Sequence, residues 1–200
     1  MKQRSLIRNF FVSIAALALC GCVDLTDRKI DNDGYYRFKK EPIEVKAPTI
    51  GDITVFDTDN SVDFTVGAGY WMIAGQYAVQ VLPLPVKMND REKFLKKSST
   101  EIKNYILQDR ETAGFKVEFL KGEIIEVNGH AAYRAIGVDR RREDPAVFIA
   151  TSILLNKRIV IGSCLYPLNK LIRNDWTDMS SWKTYNEWIA TIRETDVTTP

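Results

Sequence analysis

The dipeptide Asn128-Gly129 constrains the fold of this chain more than any other stretch. Both residues tolerate the positive φ of a type I′ turn, which joins two antiparallel strands through two residues. Ile124 to Val127, apolar except for Glu126, precedes it, and Ala131 to Val138 follows it. The spacing predicts a tight hairpin, and a hairpin needs further strands to bury its apolar face. Alternation supplies them. Val62, Phe64 and Val66 share one face of a strand. Tyr77, Val79 and Val81 share a face of the next, which Pro83 and Pro85 end. Phe115 to Leu120 alternates again. Ala146 to Leu155 and Arg158 to Leu165 are long, apolar and rich in β-branched residues, with a turn at Asn156-Lys157. Their low polarity predicts central strands covered on both faces.

Two helices complete the pattern. Asn89 and Glu92 have capping-box spacing, which predicts a helix from there to about Arg110. Its expected inner face is Leu95, Ser98, Ile102, Tyr105 and Ile106. Ser180 or Ser181 is the expected cap of a final helix, with Trp182, Tyr185, Trp188, Ile189 and Ile192 on one broad face. That stripe reads as core packing. The expected fold class is α+β, an antiparallel sheet with helices packed on it.

The N-terminus reads differently. Lys2, Arg4 and Arg8 precede an apolar run from Phe10 to Leu19, and small residues then lead to a cysteine. The run is short for a membrane span, which needs about 20 apolar residues, although an uncleaved anchor is the competing reading. Leu19-Cys20-Gly21-Cys22 resembles the lipobox of bacterial lipoproteins. The resemblance implies cleavage after residue 21 and lipidation of Cys22; Cys20 fits worse, because Leu19 before it is large. It also implies outer-membrane sorting, since Val23 and not Asp follows Cys22. The expected domains are a signal peptide over 1–21, a lipidated cysteine with a polar tether over 22–50, and one folded domain over 51–196. Tyr35, Tyr36 and Phe38 sit in the tether and could dock on the domain or on something else.

Removing the signal leaves 25 basic against 26 acidic residues, so no nucleic-acid partner is expected. It also leaves Cys164 as the sole unmodified cysteine, so an intramolecular disulfide is excluded. Cys164 reads as a buried small hydrophobe; a reactive thiol is the competing reading. Asp57-Thr58-Asp59-Asn60-Ser61 lacks the glycine and glutamate of a calcium loop, and Gly67-Ala68-Gly69 lacks a dinucleotide fingerprint. No metal and no cofactor are expected. His130 follows the tight turn and reads as a solvated residue. A nucleophile pair with Cys164 would require a hairpin tip to touch mid-strand. No nucleophile elbow, zinc helix or phosphate loop is present, and no acid stands on an apolar strand in a way that suggests a raised pKa.

The order of elements over residues 60–195 resembles the PsbP-like (DcrB-like) proteins. The local likeness lies in Val127-Asn128-Gly129-His130-Ala131-Ala132-Tyr133-Arg134. The resemblance implies an α/β/α sandwich that acts in binding or assembly without chemistry of its own. The expected function is a membrane-anchored envelope lipoprotein, no enzyme, that binds a protein partner or a small apolar ligand. The alternative is an envelope hydrolase using carboxylates. Arg140, Arg141 and Arg142, in a charged loop, are candidate contacts for an anionic surface, with a solvated turn as the bland reading. Trp176, in the loop at 167–180, is a second candidate contact.

Overall fold

The computed structural model describes residues 30–49, 52–67, 73–83, 91–104, 117–139, 146–156, 158–167 and 182–195. The main sheet is antiparallel, with seven strands. These are β3 (Asp52–Asp57), β4 (Ser61–Gly67), β5 (Ile73–Pro83), β6 (Val117–Val127), β7 (His130–Asp139), β8 (Ala146–Leu154) and β9 (Arg158–Pro167), in the order β3-β4-β5-β9-β8-β7-β6. The strands expected to be central, β8 and β9, lie in the interior of that order. Asn128 and Gly129 have φ of 51° and 81°, and Val127 pairs with His130 across them, as the turn chemistry requires. The faces expected on β4 and β5 are both buried.

Helix α1 (Arg91–Asn104) covers one face of the sheet. Phe94 packs with Leu82, Leu154, Ile159 and Ile161, and Ser98 Oγ lies 3.3 Å from Ser152 Oγ. The inner face therefore runs through Phe94 and Ser98, with Leu95 half-buried beside them. That is one residue earlier than the expected start at Leu95, because Phe94 brings the larger apolar surface. Tyr105, Ile106 and the cap at Asn89 fall outside the described residues.

Helix α2 (Lys183–Ile189) covers the other face. Trp182 holds its N-cap position without a side-chain cap bond, and the expected caps Ser180 and Ser181 lie outside the described residues. Burial of the Trp182 ring sets where the helix starts. Tyr185, Trp188, Ile189 and Ile192 are buried with the inner faces of β4, β5, β7, β8 and β9 in one cluster. Gly162 lets α2 approach, since a Cβ there would stand 2.1 Å from Ile189 Cδ1 and 3.2 Å from Ile192 Cδ1. Gly162→Ala should accordingly lower the unfolding free energy by about 1–3 kcal/mol through overpacking. An unchanged urea midpoint would mean that α2 shifts at no cost.

The polar tether expected over 22–50 is corrected for its described part. Residues 35–46 form β1 (Tyr35–Arg37) and β2 (Ile43–Lys46), and β2 also pairs with β10 (Arg193–Glu194) in a separate three-stranded sheet. Tyr36, Phe38, Ile43 and Val45 are buried in the same cluster as α2. The burial of two aromatics and two β-branched residues outweighs the local charge that made this stretch read as a linker. Ion pairs hold its edges: Glu44 lies between Arg37 and Arg193, Lys40 meets Asp59, and Arg158 meets Glu41.

Candidate functional site

Cys20, Cys22, Arg140, Arg141, Arg142 and Trp176 lie outside the described residues. His130 and Cys164 are described, and the structure keeps them apart. Cys164 pairs with Ile149, which pairs with Ile136, six residues along β7 from His130. The offset is about 20 Å along the strands and about 10 Å across two of them. No Cys–His pair forms, and Cys164 is buried in the core. The turn Asp57–Ser61 serves structure: the Tyr36 hydroxyl donates to Asp57, and Thr58 N donates to Ser61 O at 2.8 Å. Among the described residues no group of acids, histidines or cysteines could hold a metal ion, and no helix is long and apolar enough to cross a membrane.

Two polar groups stand out from this framework. The first is Asp63 on the α1 side of β4. Its Oδ1 is sealed from water and accepts no hydrogen bond. Burial pushes its pKa up to about 6. The expectation that no strand acid has a raised pKa is therefore wrong. Asp63 alternates with the apolar positions of β4, so it reads as solvent-facing, yet its side chain is only half-exposed and one carboxylate oxygen is sealed. Its cross-strand neighbours are Phe56 and Ala78, and Ser61 and Thr65 flank it on its own face. None of these is the second carboxylate that a glycosidase pair requires.

The second group is Arg134, at the centre of β7. Ala132, Ile136 and Val138 share its face and are fully buried, and Arg134 itself is 7% exposed. The guanidinium carbon sits 5.8 Å from the centre of the Tyr185 ring. Tyr185 is locked in place, its hydroxyl 2.8 Å from Thr151 Oγ1 and 3.0 Å from the Gly162 carbonyl oxygen. Burial raises that phenol's pKa, so it stays neutral. The opposite wall is the edge strand β6, where Glu123 pairs with Arg134 in register. Asn128 Nδ2 donates to Ala190 O at 2.7 Å and fixes the hairpin to the end of α2. Arg134 thus lies between a clamped helix and a clamped hairpin. The sequence did carry a signal for it: one cation on an otherwise apolar face of a strand.

No protein-family model matches the sequence, and no curated protein matches it. Solved structures do match. The solution structure of cyanobacterial PsbP (CyanoP) from Synechocystis is similar at a TM-score of 0.52 with 11% identity, over 88% of this chain and 99% of that one. The fold is PsbP-like. LpqN of Mycobacterium tuberculosis, involved in cell envelope biogenesis, is similar at a TM-score of 0.52 with 12% identity, over 77% of this chain and 83% of that one. A Bacteroides thetaiotaomicron protein shares 11% identity at a TM-score of 0.49, and this chain spans 46% of its length. At their identities the likeness to CyanoP and LpqN concerns the fold alone.

Proposed function

We propose that this PsbP-like protein is a lipid-tethered, non-catalytic binding module of the bacterial cell envelope. The observation that carries the reading is how soon after Cys22 the chain packs into the core. Ile30 already packs against the core, eight residues after Cys22. Eight residues span at most about 28 Å. A lipid on Cys22 would therefore hold the domain against its membrane, which suits a module that meets partners there. Two or three acyl chains make such attachment effectively permanent. The involvement of LpqN in envelope biogenesis agrees with this location, and Val23 after Cys22 favours the outer membrane. Among the described residues Glu44, Asp57 and Tyr185 are tied into structural contacts, and Asp63 has no second carboxylate beside it on the neighbouring strands, which agrees with a non-catalytic role.

Labelled palmitate in intact cells tests the anchor. Wild type should incorporate label and shorten by the 1–21 segment. Cys22→Ser should incorporate none and accumulate as precursor. Label retained by Cys22→Ser and lost by Cys20→Ser would move the site. Label in neither wild type nor variants would refute the tether.

A further inference from the structure

The buried guanidinium of Arg134 has five donors in a planar fork and very few acceptors. Its Nε is sealed and makes no hydrogen bond. Among the described residues its carboxylate partner is Glu123, whose Oε1 lies 3.8 Å from Nη1, beyond hydrogen-bond reach. The same carboxylate lies 3.6 Å from Lys121 Nζ. One acid therefore faces two cations and lies beyond hydrogen-bond distance of both. A strut between β7 and α2 would be expected to bond its fork fully, because an imperfectly paired buried charge is costly. Access comes from the sheet edge: Lys121 is exposed and Glu123 half-buried on β6, the last strand of the order. A guanidinium fork matches an oxyanion through two parallel hydrogen bonds.

We propose that Arg134, with Lys121 at the rim, binds the oxyanion head group, carboxylate or phosphate, of a small ligand entering at the β6 edge. Glu123 occupies the site loosely in its absence and gives way to it. This deepens the binding-module reading and rests on it, but not on the lipid: palmitate labelling reads Cys22 alone, so either result can fail without the other.

The test uses the full chain in non-ionic detergent at pH 7.5. Thermal unfolding is followed by tryptophan fluorescence during titration with sodium acetate or sodium phosphate, against sodium chloride at matched ionic strength. A saturable rise in Tm with one oxyanion and none with chloride is expected, and the better probe identifies the head group. Glu123→Gln removes the internal competitor and should tighten binding roughly fivefold. Arg134→Lys keeps the charge but loses the fork and should weaken it about tenfold. If neither probe gives a saturable shift in wild type or in Glu123→Gln, the proposal is overturned. It is equally overturned if Arg134→Lys binds as wild type does. Should Arg134→Lys fail to fold, the tightening in Glu123→Gln decides the matter.

Discussion

Asp63→Asn should stabilise the protein by about 2–3 kcal/mol at pH 7.5 and by little at pH 4. The carboxyl loses its proton near pH 3.8 in the unfolded chain and only near 6 in the folded one, because burial disfavours the charged form. Below the unfolded value both states are protonated, and the group costs nothing. As pH rises, the unfolded chain releases its proton first and is favoured. The stability contributed by the protonated carboxyl is lost as pH passes through about 6. Above that, the folded protein carries a buried charge whose sealed oxygen has no donor. Asparagine has nearly the same shape and cannot ionise, so its stability should stay flat across this window. Urea unfolding of both proteins between pH 4 and 7.5 measures the difference. An equal gap at both ends of the range would show that Asp63 is solvated and that the argument from burial fails.

Where the sequence was legible, the signal was local. Alternation in Val62-Asp63-Phe64-Thr65-Val66 sets the inner face of β4, and Asn128-Gly129 sets a register that the pairing of Val127 with His130 obeys. The apolar runs at β8 and β9 place them inside the sheet. What stayed hidden depends on distant partners. β1 and β2 are three and four residues long, too short to show a period. Their charges are balanced by residues far along the chain: Glu44 meets Arg193 across 149 positions. No window of neighbouring residues contains that pairing, so the stretch reads as a polar linker. Asp63 failed for a related reason, since alternation tells which face a residue occupies but not how far its carboxylate is shielded there. Arg134 was visible as an anomaly on an apolar face, but the looseness of its contact with Glu123 is a matter of distance alone.

Trp188→Ala should cost about 3–5 kcal/mol, a large part of the 5–15 kcal/mol that holds a domain of this kind together. The ring is buried, packs edge-on against Tyr77 at 4.9 Å between centroids, and lies 6.0 Å from the Tyr185 ring. Its Nε1 donates to the Lys46 carbonyl oxygen at 3.0 Å. One side chain therefore joins α2, the main sheet through β5, and the small sheet through β2. Truncation removes the apolar contacts, opens a cavity, and strips a partly buried carbonyl of its donor, and these terms add. Trp188→Phe separates them. It keeps most of the ring volume and loses the N–H, so its cost should be nearer about 1–2 kcal/mol. The form of the transition matters as much as its midpoint. Because residues 35–46 share a core with the seven-stranded sheet, both variants should unfold in a single step, with tryptophan fluorescence and far-UV circular dichroism coincident. A second, earlier transition in Trp188→Ala, with the main one unmoved, would mean that the small sheet docks as an appendage. The folded body would then begin at β3, and the span between Cys22 and the domain would be longer than eight residues.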